Sequence, residues 1–363
     1  MRIAVSARSI AARGVRLEVL HLREFIDLWG ASGDEVTLIR SGGAVVDLPG
    51  DMRALLSEPA SSTLRRTLSI VWEEARDAGE AGADVLSIPE ARAPLVTPLP
   101  VVALFTGREA RPTSFFVRLR LWAGYAGLRG ASALLRLNDL PIPPRPPDRL
   151  RLMPPFIDPS FDAATKATDA AHTRSLGLTR GYCLAFADTS EELRLLLAAW
   201  SWVTGALGDE YSDAIARGAH LKQEAVSASA EGAGVGESVR PVDGVTYDGL
   251  PALLRGADVF LHSGRTSIGQ ELRWALACGL PVAGVETAEA AAVVGDAGYL
   301  VPPNDARALG AACLTCIVDA DVAEGLKERG LSKAGAYHAP SSRRAWSDVI
   351  HLTAASPNHR RSP

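Results

Sequence analysis

The sequence predicts an α/β protein of two domains, and three observations carry the prediction. Short apolar runs that read as strands alternate with stretches of helical period in both halves of the chain. The length, 363 residues, suits two domains at roughly 100–200 residues each. In the second half, the strand Asp258–Leu261 passes through the small polar turn Ser263-Gly264-Arg265-Thr266-Ser267 into a helix. That helix carries Ile268, Leu272, Ala275, Leu276 and Gly279 on one face. Such a turn gathers unpaired backbone N–H groups and the positive end of the helix dipole at one spot. It is the best candidate for binding a phosphate-bearing ligand.

Composition narrows the field. Apolar residues make up 47% and charged residues 22%, ordinary for a globular protein with a full core. A net charge of −4 leaves no electrostatic footprint for nucleic acid. Cys183, Cys278, Cys313 and Cys316 are too scattered for a disulfide framework. Cys313 and Cys316 form a lone C-x-x-C in an Ala/Leu-rich helical stretch, which reads as helix packing, and no metal site is expected. The N-terminus lacks an apolar signal core, and no window offers the ~18 uncharged apolar residues of a membrane span. A cytoplasmic protein is expected, with peripheral contact at the inner membrane face as the alternative.

In the first half, Arg2–Ser6 is a first strand, followed by a small-residue loop with Gly14, the helix Leu17–Trp29 and the strand Glu35–Arg40. Leu64–Ala81 reads as a helix, Ala83–Pro89 and Pro100–Thr106 as buried strands, and Phe115–Gly130 as a basic, aromatic helix. Ser132–Asn138 is a strand, Pro141–Pro147 a stiff proline-rich turn, and Arg149–Pro155 the entry to a linker. Asp158–Leu178 is polar and suits a hinge. The second half opens with the strand Tyr182–Ala187 and the helix Glu191–Val203. Leu221–Ser229 is expected as a strand, Glu231–Glu237 as a flexible loop, Val242–Val245 as a strand and Leu250–Arg255 as a short helix. Helices follow at Asp305–Asp319, Val322–Tyr337 and Ser341–Ala355, and the basic tail Asn358–Pro363 is expected to fray.

The run from Ser263 and Gly269 to Ala275-Leu276-Ala277-Cys278-Gly279-Leu280-Pro281-Val282 resembles the donor-site segment of family-4 retaining glycosyltransferases. Leu250–Val259 upstream is similar to that family's lead-in, and Val293–Gly298 with Leu300–Asp305 to its next segment. The resemblance implies a GT-B fold: two Rossmann-like domains facing each other across a cleft, with a C-terminal helix crossing back to the first. The implied division is 1–157 for an acceptor domain, 158–340 for a donor domain, and 341–363 for the crossing helix and tail. The implied reaction is sugar transfer with retention from a nucleoside diphosphate-sugar to an acceptor that is a glycan, a lipid or a small molecule. It uses no metal and no cofactor beyond that co-substrate.

Family roles carry over slot by slot. Gly14 matches the first-loop position that touches substrate, and the backbone of Val245 a position that contacts the base. A His-Asp pair that the family often places at the cleft is replaced by Phe105 and Thr106, leaving Thr106 on the acceptor side. The two donor-binding glutamates fall at Thr266 and Trp274, and the diphosphate-binding Arg and Lys at Ser190 and Glu191. Trp274 can donate but not accept a hydrogen bond. Ala187–Glu192 is acidic where a diphosphate would lie. Two replacements are available: Glu271, on the same helix face as Trp274, and Arg265 in the turn. Glu271 is equally explained as a first-turn acid facing the helix dipole, and Arg265 as a solvent-facing turn residue.

Three functions follow as expectations. One is a transferase with a rewired donor site, in which Arg265, Thr266 and Glu271 act on the reacting groups and Ser263, Gly264 and Ser267 help hold the nucleotide. Another is a catalytically inactive partner or scaffold of an active paralogue. The third is a GT-B enzyme of other chemistry, such as a sugar-nucleotide epimerase, which needs acids and histidines in the cleft. The seven histidines form no cluster along the sequence.

Overall fold

Each half of the chain closes its own parallel sheet. The computed structural model describes residues 1–7, 16–30, 33–41, 53–57, 72–105, 122–142, 150–179, 181–208, 211–217, 221–243, 245–265, 268–338 and 340–356. In the first domain, β1 (Arg2–Ser6), β2 (Glu35–Ser41), β3 (Arg53–Ser57), β4 (Val85–Ile88), β5 (Val101–Leu104), β6 (Ala133–Leu137) and β7 (Leu150–Met153) lie in the order β3-β2-β1-β4-β5-β6-β7. In the second, β8 (Tyr182–Ala187), β9 (Ser212–Arg217), β10 (Val239–Val242), β11 (Val259–His262), β12 (Val282–Val285) and β13 (Gly298–Val301) lie in the order β10-β9-β8-β11-β12-β13. Neighbouring strands are parallel throughout. Central strands such as β8, YCLAFA, are buried along their whole length, because helices cover both faces of a parallel sheet. Strand order reverses between β1 and β4 and again between β8 and β11. Open α/β sheets bind ligands in the crevice beyond the strand ends at such points.

The helices are α1 (Arg16–Gly30), α2 (Glu74–Glu80), α3 (Asp169–Ser175), α4 (Ser190–Leu207), α5 (Gln223–Gly232), α6 (Leu250–Gly256), α7 (Gln270–Ala277), α8 (Ala288–Val293), α9 (Ala306–Val318), α10 (Ala320–Ala334) and α11 (Pro340–Ala355). Local chemistry starts several of them. Asp305 and Asp319 cap α9 and α10 by accepting from Ala308 and Val322 backbone N–H groups. Cys313 and Cys316, on α9, are buried in the second-domain core.

Helix α11 returns the chain to the first domain. Its Trp346 lies edge-on to Phe25 and Phe156, with ring centroids 5.5 and 5.2 Å away, and donates from Nε1 to the Pro154 carbonyl at 2.8 Å. Arg343–Asp158 and His351–Asp34 pairs, each at 3.0 Å, flank the tryptophan. Emptying so buried a site would cost about 3–5 kcal/mol, so this contact holds the returning helix firmly.

Several expectations are corrected. Leu221–Ser229 is not a strand: Gln223–Gly232 is helix α5, whose Gln, Glu, Ala and Ser run offers a single β-branched residue, Val226, and buries it with Ala230 at helical spacing. That helix takes in the start of the loop expected at Glu231–Glu237. The neighbouring strand is instead Ser212–Arg217, whose apolar signal is interrupted by the buried Asp213. The strand expected at Val242–Val245 ends at Val242. Leu150–Met153 is an edge strand, not linker, and exposes Arg151 and Leu152. The presumed hinge contains α3, pinned where Arg255 donates to Asp169 at 2.7 and 2.9 Å. Of Phe115–Gly130, the described part is helical at 122–127. Among the described residues no helix is long and apolar enough to cross a membrane, and no cluster of three or more His, Cys, Asp or Glu could hold a metal ion.

Candidate functional site

A pocket opens at the second switch point, beyond the ends of β8 and β11. It is lined by Phe186, Asp188, Glu192, Phe260, Leu261, His262, Ser263, Arg265 and Glu271. Two glycines shape its rim. Gly264 has φ +90°, and a Cβ there would come within 2.9 Å of the Val285 side chain. Gly269, with φ +69°, starts α7 from the left-handed region without a side-chain cap. Ser263 and Arg265 thus reach the pocket as the sequence suggests, with Gly264 between them. Val245 lies outside the lining, buried in the loop between β10 and α6. Gly14, Thr106, Thr266 and Ser267 lie outside the described residues.

The acidic stretch Ala187–Glu192 proves to be a capping box. Thr189 Oγ1 accepts from Glu192 N at 3.2 Å, while Glu192 Oε2 accepts from the N–H groups of Asp188 and Thr189 at 2.9 and 2.8 Å. The α4 N-terminus therefore already holds an anion, its own glutamate. The remaining oxygen, Oε1, stands 3.4 Å from Arg265 Nε, and the arginine side chain is 48% exposed. Ser190 and Glu191, at the Arg and Lys slots, are exposed.

All eight residues of α7 are buried, polar ones included, because the helix lies between its own sheet and side chains of the first domain. Gln270 donates to Glu24 Oε2 at 2.5 Å and to the Phe156 carbonyl at 2.8 Å. Arg273, fully buried, donates to both carboxylate oxygens of Asp139, each at 2.7 Å. Trp274 stacks on Phe161, with centroids 5.2 Å apart and planes 11° apart, and donates from Nε1 to Glu24 Oε1 at 3.3 Å. The second glutamate slot is therefore filled by an aromatic core residue.

Glu271 sits between two imidazoles. Its Oε2 lies 3.4 Å from His21 Nε2 on α1, and its Oε1 lies 3.4 Å from His262 Nε2 at the end of β11. These are ion-pair distances, and none of the four atoms makes a hydrogen bond within the described residues. Burial pushes the Glu271 carboxyl up, but the imidazoles of His21 and His262 outweigh it and hold it well below the usual carboxylate range. The Gly264 N–H donates to His262 Nδ1 at 3.3 Å. A neutral His262 therefore carries its proton on Nε2, toward Glu271.

The sequence reading missed His21, Glu24 and His262, and it found no histidine cluster; the fold makes one. A signal was present on α1, where His21 and Glu24 interrupt the stripe of Leu20, Phe25 and Leu28. Polar residues on an apolar stripe are buried and must find partners. The first switch point also holds an unforeseen charged cluster. Arg92 donates to both oxygens of Glu74 at 2.6 and 2.9 Å and to Ser6 Oγ at 3.2 Å, beside Glu90.

Two parallel sheets, a returning helix and a pocket at the second switch point define a GT-B protein. Residues 182–319, most of the second domain, match the family model for glycosyl transferases group 1. Among solved structures, sucrose-phosphate synthase from Thermosynechococcus elongatus superposes with a TM-score of 0.73 at 15% identity, covering 98% of this chain and 100% of that one. WaaG, a glycosyltransferase involved in lipopolysaccharide biosynthesis, gives 0.72 at 16% identity, covering 96% and 99%. Anabaena HepE in complex with UDP and glucose gives 0.71 at 16%, covering 98% and 100%. At these identities the likeness is one of fold. No curated protein matches the chain in sequence.

Proposed function

We propose that this chain is a retaining glycosyltransferase that moves a hexose-type sugar from a nucleoside diphosphate-sugar to a glycan, lipid or small-molecule acceptor, without metal or cofactor. The observation that carries the reading is Glu271, a buried carboxylate between two imidazoles on the wall of the pocket at the second switch point. As the sugar leaves its diphosphate, positive charge develops on the ring, and a fixed carboxylate in a poorly solvated site stabilises it. Arg265, on the exposed rim, turns from Glu192 to the leaving diphosphate. The turn Ser263-Gly264 is assigned to the phosphates, Thr266 and Ser267 are candidates for the same role, and the Val245 backbone serves the base. Gly14 is assigned to the donor nucleotide with them, and Thr106 to the acceptor side.

Calorimetric titration with UDP, GDP and ADP, and with their sugars, tests the reading on wild type and Arg265→Ala. One nucleotide is expected to bind at micromolar concentration and to weaken roughly tenfold in the variant, about 1.4 kcal/mol. Its sugar should then be transferred with the donor's anomeric configuration, read by NMR. If no nucleotide binds the folded protein, the transferase reading fails and a non-catalytic partner of an active paralogue remains. One observation favours a second reading: His21, His262 and Glu271 supply the acid and imidazoles an epimerase needs. Solvent deuterium entering the sugar nucleotide without any acceptor would mark that chemistry.

A further inference from the structure

We infer that His21 is a positioning residue that reaches across from the first domain to hold Glu271 ionised and aimed into the pocket, so that the donor site is complete only while the domains are closed. The inference rests on the role proposed for Glu271. Its basis is the unequal origin of the two imidazoles. His262 ends β11 in the same domain as Glu271, and its ring is oriented by the Gly264 N–H. His21 stands on α1 in the other domain, so its contact with Glu271 exists only across the domain boundary.

The surroundings of His21 keep that contact in register. Its ring meets the edge of Trp274 at a centroid distance of 5.1 Å, and Trp274 is itself clamped by Phe161 and Glu24. Glu24, one turn along α1, takes Gln270 and Trp274 from α7 and the Asp158 N–H from the interdomain crossing. One face of α1 therefore grips the helix that carries Glu271 at the positions before and after it.

The other charged groups near Glu271 are already committed. From α4 and its lead-in come Asp188 and Glu192, the latter spent on the capping box. Arg265 at the rim faces Glu192, and Arg273 on the same helix is bound to Asp139. Phe186 and Phe260 form the apolar wall. Without His21, Glu271 keeps one imidazole inside a buried site, and burial raises its proton affinity.

The test compares His21→Leu, which removes the imidazole facing Glu271, with His21→Gln, whose side-chain amide can present an N–H where Nε2 stood. Both are checked for folding by thermal melting and near-ultraviolet circular dichroism. The Glu271 carboxyl is titrated by NMR in protein labelled with ¹³C at glutamate side-chain carboxyls, its signal assigned with Glu271→Gln. In His21→Leu the midpoint should rise by about one pH unit or more, with His21→Gln close to wild type. An unmoved midpoint in His21→Leu overturns the inference. In turnover, His21→Leu should lower kcat at least roughly tenfold while KM for the donor stays within about twofold. The acid limb of its kcat profile should move up, and His21→Gln should restore both. Equal loss in the two variants with an unchanged pH profile assigns His21 a merely structural role. The NMR titration needs no turnover, so a chain that transfers no sugar refutes the proposed function while the midpoint still decides the part of His21.

Discussion

Two buried carboxylates sit on the helices that meet at the domain contact, one from each domain, and they take different charge states. Glu24, on α1, is pushed up to about 8 by burial, against the lowering effect of hydrogen bonds from Trp274, Asp158 and Gln270. Glu271, on α7, is also driven up by burial, yet two imidazoles carry it below the usual carboxylate range. Depth is the same; the partners differ. Amide and indole donors offset only part of the desolvation of Glu24, whereas ring nitrogens on both sides of Glu271 more than cancel it. At neutral pH the first is a carboxylic acid that joins the domains, and the second is an anion on a pocket wall. Paired groups driven apart in this way are a common basis for assigning separate roles.

The largest expected effect comes from removing the anion. Glu271→Gln keeps the shape of the side chain and should lower transfer about 10³-fold in kcat, near 4 kcal/mol, in an assay of released nucleoside diphosphate. Activity within about tenfold of wild type would make Glu271 a structural acid like Glu24 and erase the contrast.

Next is the clamp that brings both carboxylates to their partners. Asp139→Ala leaves the fully buried Arg273 without its bidentate carboxylate. We expect a loss of about 3 kcal/mol in urea unfolding, since breaking a buried pair strands the other charge. The Glu24 midpoint should fall back toward the ordinary 4.5 as the contact loosens. A Glu24 midpoint that stays put would show that its environment does not depend on the clamp.

The smallest effect concerns Glu24 itself. The folded chain keeps its proton up to about 8, whereas the unfolded chain releases it near 4.5. Between those values the folded state binds more protons, so this group's contribution is full below 4.5, falls as pH rises, and levels off above about 8. Glu271 has the opposite sign: its contribution is present above the ordinary carboxylate range and is lost as pH falls through its depressed value. Glu24→Gln should flatten the decline in stability across that window, with a gain on the order of 2 kcal/mol over wild type near pH 8. Denaturation at a series of pH values reads this directly, and parallel curves for the two proteins would contradict the neutral assignment.

Much of the fold was legible. Apolar runs at Arg2–Ser6, Tyr182–Ala187 and Asp258–Leu261 named central strands within a residue or so, because strands buried on both faces need an unbroken apolar sequence. Edge and polar-interrupted strands were not legible. RALLS and LRLM are short, and SDAIAR buries an aspartate. The turn after β11 was found from its small residues, and Arg265 and Glu271 do line the pocket there. The acidic stretch after β8 looked repulsive to a diphosphate, yet Thr189-x-x-Glu192 is a capping pattern that turns one of those acids onto the backbone.

By itself, the sequence determined what is local: the alternation of strand and helix, the glycines at 264 and 269, and the caps at 189, 305 and 319. These depend on side-chain period and backbone freedom over a few residues. Only the tertiary structure decided that His21 and Glu24 would meet Gln270, Glu271 and Trp274. That meeting requires two separately built sheets to pack at one angle, held by Trp346 and by Arg273 on Asp139. No local period encodes such an angle, and the charge on Glu271 follows from it.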